Sequence, residues 1–552
     1  MRAFSAIGLL ALAASLTFGA ASPAVGEGRA DAAVTECSTL ALPNQDMNGT
    51  PTGSDHGDVV VGAPGENHAA GGIHVFHGTD GATAGDTAGR YEDQWTSQDT
   101  PGVAGRSEPN DRFGAAVVTG DFNGDDCADA AVGVPGEDGS AGAVNVFYGA
   151  PGTGLLVTTG NTMLLEGTAS IPGPRTAGER FGSALAIGDL NDDGITDLAI
   201  GAPGEGGAAG AAFVVYGNAA GLNAGPTHAV RLAQSSPRIP GASEASDRFG
   251  ASLTVGDFAG DGIDDLAIGI PGENANAGGV VVVPGRRGGA LTGTGSRFWS
   301  QNSAGVIGAA EPDDGFGTAL DAGRVTLDGR EDLVVGIPGE NHSSGAIAIL
   351  FGSATGLTAA GNQYWSQNTP GMTGTAEAGD QFGFAVAVGL IVGGGAGFPP
   401  KAEDVVVGVP GDRAGGVPSA GAVQIFLNTH TGPPSATGDD AEVLVSQATA
   451  EVPGAAETGD KFGASLAIVS LSNDYPDDGE DLLIGVPGET VSGVRHAGVF
   501  HDFMSGAFPR DPIEYPDWRQ VEKAISAGTI EVKGPLEPDG AFGAALSNPG
   551  RP

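Results

Sequence analysis

The sequence predicts an all-β protein folded as a seven-bladed β-propeller, its last blade closed jointly by the N- and C-terminal ends. Three observations carry that prediction. A Phe-Gly pair recurs at Phe113, Phe181, Phe249, Phe316, Phe382, Phe462 and Phe542, with successive spacings of 68, 68, 67, 66, 80 and 80 residues. A Gly-x-Pro-Gly-acid segment recurs from Gly62, Gly133, Gly201, Gly269, Gly336, Gly408 and Gly485. The two series are offset at the ends: the first Gly-x-Pro has no Phe-Gly before it, and the last Phe-Gly has no Gly-x-Pro after it. Joining the ends completes a seventh unit, in which Phe542-Gly-Ala-Ala-Leu546 supplies one strand to a blade that begins near Asp58. Such closure removes two exposed sheet edges.

Each unit is about 70 residues long, the length of one antiparallel blade rather than of a helical repeat. Glycine makes up 98 of 552 residues, which favours many tight turns, and aromatic content is only 6%. The core must therefore be filled by Val, Ile, Leu and Ala, which recur in short runs such as Asp197-Leu-Ala-Ile-Gly201 that read as buried strands. Further positions keep the phase. An Asp stands four residues before every Gly-x-Pro (Asp58, Asp129, Asp197, Asp265, Asp332, Asp404, Asp481), and a Gly stands eight before every Phe. A Gln stands fifteen before five of them, as in Trp299-Ser-Gln301.

These residues resemble the FG-GAP repeat of integrin α-subunit propellers, and the likeness covers about residues 40 to 550. Similar repeats occur in bacterial exported proteins and in the propeller of glycosylphosphatidylinositol-specific phospholipase D. The resemblance implies a ring of four-stranded blades, and an extracellular binding or adhesion role.

Between Phe-Gly and Gly-x-Pro lies an acidic loop. In three units it follows Asp-x-Asn/Asp-x-Asp-Gly-x-x-Asp or nearly so. Calcium takes six to eight oxygen ligands, and alternate residues of a tight loop aim carboxylates and one carbonyl at a common point. The second unit offers Asp189, Asn191, Asp193 and Asp197 with the Ile195 carbonyl. The first offers Asp121, Asn123, Asp125 and Asp129 with the Cys127 carbonyl, and Asp126 stands where Gly is usual. The third offers Asp257, Asp261 and Asp265 with the Ile263 carbonyl, but Ala259 replaces one ligand. Two or three Ca²⁺ sites are expected. In the fourth unit Arg324 occupies the first ligand position, and its guanidinium is expected beside Asp328 and Asp332. The fifth, sixth and closing units lack the series. Because the ninth-position Asp persists in all seven units, a turn hydrogen bond to backbone N–H groups is its expected common duty.

Residues 1–24 read as a secretory signal, with Arg2 before an apolar stretch from Ile7 to Phe18 and cleavage expected between 21 and 32; the propeller is assigned to 25–552. Export without a membrane span follows from that reading. Cys37 and Cys127 are the two cysteines, free to form one disulfide in an oxidising compartment. The net charge of −43 disfavours nucleic acid and anionic lipid as partners. No Gly-x-Ser-x-Gly elbow or His-Glu-x-x-His motif is present, so the reading leans away from an enzyme. The leading expectation is a secreted, calcium-binding module for an extracellular protein or glycan. An exported hydrolase and a lectin with repeated rim pockets stay open as alternatives. Trp95, Trp299, Trp365 and Trp518 recur before their Phe, which suits packing in outer strands or, alternatively, sugar stacking.

Overall fold

The computed structural model describes residues 47, 58–78, 91–151, 155, 160–168, 171–222, 229–391, 401–428, 442–450, 452–471, 479–503, 521–525 and 537–549. All belong to the unit Val34–Pro552. The signal segment, Cys37 and Trp518 lie outside the described residues.

Among the described residues, seven blades of four antiparallel strands follow one another along the chain. In blade one the strands are Val117–Gly120, Asp129–Val134, Ala143–Phe147 and Thr162–Leu164. Blades two to six repeat the pattern, with first strands at Ala184–Gly188, Leu253–Gly256, Ala319–Gly323, Val386–Gly389 and Ser465–Val469. The first strands of neighbouring blades contact each other in an unbroken circuit that returns to blade one, so they line the axis. The second strands, such as Asp197–Ala202 and Asp332–Ile337, are buried along their whole length. That burial explains their continuous apolar reading without polar alternation.

The seventh blade is closed by both ends, as the offset motifs require. Ala545–Leu546 pairs antiparallel with Gly62 and Val61 of the strand Val59–Ala63, which continues to Gly72–Gly78 and Tyr91–Thr96. Ser547 donates its backbone N–H to the Val60 carbonyl and accepts the Val60 N–H at its hydroxyl. Asn548–Pro549 then runs parallel to Val118–Thr119 of blade one, so the tail reaches a second blade. Phe542 sits at this seam 4.9 Å from the His74 ring and 5.9 Å from that of Phe500. Aromatic pairs at such distances add to the area they bury.

The hydrophobic core is divided among the junctions between blades. Seven apolar clusters each draw on two neighbouring blades: Val146 and Phe181 with Ile200, for example, join blades one and two. The repeated motifs make those junctions close. The seven Phe-Gly phenylalanines have no exposed surface. A Cβ on the first Gly of each Gly-x-Pro would stand 2.0–2.2 Å from the carbonyl oxygen of the next blade's Phe-Gly glycine, so no side chain fits there. Both motifs therefore mark where one blade's backbone rests on the next.

The Gln and Gly that precede each Phe form a second junction device. Gln98, Gln234, Gln301 and Gln447 donate their amide N–H to Glu137, Glu273, Glu340 and Glu489, the acids of the following blade's Gly-x-Pro-Gly segment, at 2.6–2.7 Å. Gln367 does the same to Asp412 at 3.2 Å. The Gly eight before Phe, such as Gly241 at φ +102°, packs directly on that amide. Trp95 lies over Gly72 and 4.6 Å from His74, Trp299 is buried, and Trp365 packs 5.4 Å from Phe426.

Candidate metal centre

The acidic loops connect the first and second strands of each blade, so they cluster at one end of the axis. Their ninth residue is fixed by the fold itself. Asp129 accepts the Phe122 N–H at 3.0 Å and the Gly149 N–H at 2.9 Å. Asp197 accepts the Leu190 and Gly217 N–H groups at 3.0 and 2.9 Å. The equivalent Asp265, Asp332, Asp404, Asp481 and Asp58 accept from Gly285, Gly352, Asn428, Leu471 and Met47. This Asp therefore ties its loop to the turn after the third strand or to the loop's own second residue, in blades with and without a full ligand series. Turn bonding is its common duty.

In the three full or nearly full loops, the first Asp organises the turn. Asp121 Oδ1 accepts the Gly124 N–H at 2.7 Å and its Oδ2 that of Asp126 at 2.9 Å. Asp189 accepts the N–H groups of Asp193 and Gly194, and Asp257 those of Gly260, Asp261 and Gly262. The fifth-position carboxylates Asp125, Asp193 and Asp261 each accept an N–H two residues on, from Cys127, Ile195 and Ile263. That orients the loop but leaves one oxygen of each fifth-position carboxylate outside these bonds. Asn123 accepts from the Asp125 N–H, while the Asn191 amide donates to Asp197 at 3.2 Å.

The ninth-position carboxylates are buried and feel the charges of positions one and five. Burial pushes Asp197 up to about 8, and the charges of Asp193 and Asp189 add to the shift against two backbone hydrogen bonds. Burial likewise takes Asp265 to about 7, with Asp261 and Asp257 adding. Asp129 is raised well above the ordinary carboxylate range by burial, with Asp121 and Asp125 adding. Like charges on one loop favour an added cation. Among the described residues no three His, Cys, Asp or Glu side chains close to the spacing of a metal-ligand set. The donor types suit a hard cation; the first aspartates' oxygens are turned to backbone N–H groups.

The remaining loops behave differently. In blade four Asp328 pairs with Arg330 at 3.2 Å, and Asp332 accepts from both the N–H and the hydroxyl of Thr326. The cation beside Asp328 is thus Arg330 rather than the expected Arg324. Arg324 instead lines a cavity of about 510 Å³ together with Asp189, Asp257, Asp264 and Glu331. Cys127 is disulfide-bonded. Its loop is thereby held covalently as well as by Asp121.

Sequence reasoning missed the residue at loop position eight. Asp264, Glu331, Glu403 and Glu480 each reach back to the preceding blade and accept the N–H of its first loop residue: Asp189 at 2.8 Å, Asp257 at 3.2 Å, Arg324 at 2.8 Å and Leu390 at 2.8 Å. Their own N–H groups donate to the carbonyls of the same four residues at 2.7–3.3 Å. The in-phase acids Asp264, Glu331, Glu403 and Glu480 were the available signal.

Three stretches, residues 113–147, 181–215 and 249–283, match the FG-GAP repeat family. They cover the first three strands and the acidic loop of blades one, two and three. Integrin alpha-PS5 of Drosophila melanogaster is 37% identical over 169 residues, 30% of this chain and 15% of that protein. Integrin alpha-4 of Xenopus laevis is 31% identical over 222 residues, 40% of this chain and 18% of that one. Phosphatidylinositol-glycan-specific phospholipase D of Homo sapiens is 32% identical over 183 residues, 31% of this chain and 20% of the enzyme. The matches thus span no more than a fifth of these relatives' length. No helix among the described residues is long and apolar enough to cross a membrane. With its seven-bladed fold, its matched repeats and its integrin relatives, the chain is an FG-GAP repeat protein with an integrin alpha-like propeller.

Proposed function

We propose that this protein is a secreted, calcium-binding propeller that holds an extracellular protein or glycan partner, as an adhesion-type module. The observation that supports the calcium part is the acidic loop shared by blades one, two and three, in which the first Asp folds the turn through backbone N–H groups and the fifth orients the loop while keeping one carboxylate oxygen outside those bonds. Asp121, Asn123, Asp125 and Asp129 with the Cys127 carbonyl would hold one ion. Asp189, Asn191, Asp193 and Asp197 with the Ile195 carbonyl would hold a second, and Asp257, Asp261 and Asp265 with the Ile263 carbonyl a third. A bound cation supplies charge neutralisation and a rigid anchor for the loop. The chain's own part is to keep the loop turn formed through the first Asp and the ninth Asp seated in the sheet. Residues 1–24 serve as the export signal, and the integrin relatives support an extracellular binding role.

The experiment is a thermal melt and a calorimetric calcium titration on the mature chain, with and without chelator. Calcium at millimolar concentration is expected to raise the unfolding midpoint, since a ligand of the folded state alone stabilises it. Binding of labelled matrix and cell-wall fragments, read in calcium and in chelator, tests the partner. An unchanged midpoint and no heat of binding would remove the calcium reading.

A further inference from the structure

We propose that Asp264 and Glu331 are positioning residues for the ion loops of the blades before them, so that each loop is seated by its neighbour and ion binding strengthens the junction. The inference rests on the calcium reading above. Its grounds are geometric. The Asp264 carboxylate accepts the N–H of Asp189, the first residue of loop two, at 2.8 Å, and the Asp264 N–H donates to the Asp189 carbonyl at 3.3 Å. The Glu331 carboxylate and N–H hold Asp257, the first residue of loop three, in the same way at 3.2 Å each. Both peptide groups flanking the side chain of the first ligand are therefore fixed from another blade.

The seat is built to fit. A Cβ on Gly188, the residue before Asp189, would stand 2.6 Å from Asp264 Oδ2, and one on Gly256, before Asp257, 2.4 Å from Glu331 Oε2. The acids are thus lodged against bare backbone at the ends of the first strands. The two devices meet in the cavity lined by Asp189, Asp257, Asp264 and Glu331. In the loop of blade one the neighbour's residue is Thr196, whose N–H donates to the Asp121 carbonyl at 3.1 Å. Position eight there is a threonine rather than an acid, and that loop contains the disulfide-bonded Cys127.

A partner that orients a ligand residue without touching the ion usually changes metal affinity 10- to 100-fold when removed. Because binding and junction strength are linked, the effect runs both ways.

The test uses two versions of the mature chain. Asp125→Ala with Asp261→Ala leaves loop two as the complete series; Asp125→Ala with Asp193→Ala leaves loop three. Calcium affinity is read by calorimetry and by terbium luminescence. Glu331, which belongs to neither loop, gives the clean test: Glu331→Leu should weaken binding about 10-fold or more in the loop-three protein and leave the loop-two protein unchanged. Asp264→Leu should weaken the loop-two protein by about 10-fold or more and the loop-three protein, whose own loop contains residue 264, by a smaller factor. Asp264→Asn, whose amide oxygen still accepts the Asp189 N–H, should restore most of the loss. The proposal is overturned if folded Asp264→Leu binds calcium as its parent does, or if Asp264→Leu weakens both loops equally. If the parent proteins themselves bind no calcium, the underlying calcium reading falls and the positioning role falls with it. Should Asp264→Leu fail to fold, Glu331→Leu on loop three decides the question alone.

Discussion

The junction between blades one and two differs from the other described junctions, and the contrast shows what holds the ring. At three junctions a neutral Gln amide donates to a buried Glu, at a fourth to the half-buried Glu489, and at a fifth to Asp412. Between blades one and two the Gln position holds Glu166, a side chain only 1% exposed, facing Glu205. Among the described residues, none donates a hydrogen bond to either Glu166 oxygen. Burial and the charges of Glu205 and Glu179 push it up to about 8, with Arg231 pulling the other way. Arg231 also grips Glu205 through Nε at 2.9 Å and a second nitrogen at 2.5 Å. The residue that faces the third strand at this register is Met163, Phe298, Tyr364 or Leu444 in blades one, three, four and five. One substituted donor is thus accompanied by a cation at an otherwise uncharged position. A junction acid tolerates burial when something donates to it, whether amide, guanidinium or a retained proton.

That comparison can be broken or sharpened by four substitutions, read as the denaturation midpoint in calcium-containing buffer. Arg231→Met should have the largest effect. It leaves Glu205 beside Glu166 and Glu179 without its cation, and removal of one partner of a buried pair costs about 3–5 kcal/mol. A loss below 1 kcal/mol would mean the guanidinium is not what holds this junction.

Glu166→Gln should stabilise, by on the order of 2–4 kcal/mol near pH 8.5. The sign follows from proton binding. Glu166 is raised from 4.5 to about 8, so the folded chain keeps a proton that the unfolded chain has released. Its contribution is full below about pH 4.5 and is lost as pH rises to about 8. The variant should therefore flatten the fall in stability across that window, and an unchanged slope would show that Glu166 does not titrate there.

Gln234→Glu builds the same acid pair against Glu273, where Phe298 stands in place of an arginine. It should cost about 1–3 kcal/mol, increasing with pH, through loss of the donor to a buried carboxylate. Gly308→Ala should have the smallest effect, about 1 kcal/mol. Gly308 has φ +115°, and a Cβ there would stand 2.7 Å from the Gln301 amide nitrogen, the flexible end of a side chain. If it exceeds the loss at Gln234→Glu, backbone strain outweighs the hydrogen bond at these junctions.

Much of the molecule was legible along the chain. The Phe-Gly and Gly-x-Pro series placed the blades, their number and the closure of Phe542–Leu546 on a blade that begins near Asp58, because each marks a contact that must recur at every junction. The Asp189 loop was legible as a ligand order, and Asp58 to Asp481 as a turn residue, since its persistence outran the loops able to take an ion. The clasps of Asp264 and Glu331 were not. Position eight holds Ala128, Thr196, Asp264 and Glu331 in successive units, and its use depends on the neighbouring blade's approach. Arg324 was expected beside Asp328 because it filled a ligand position, yet Arg330, two residues from Asp328, reaches it instead.

By itself the sequence determined the repeat: which residues are strands, which turns must be glycine, and how many units close the circle. Those are properties of one blade and of contacts identical at each step. Only the tertiary structure decided what differs between steps, such as Glu166 meeting Glu205 and Asp264 holding Asp189. Such pairs lie about 40 or 75 residues apart, and their energies arise from burial and charge that exist only once two blades are packed together.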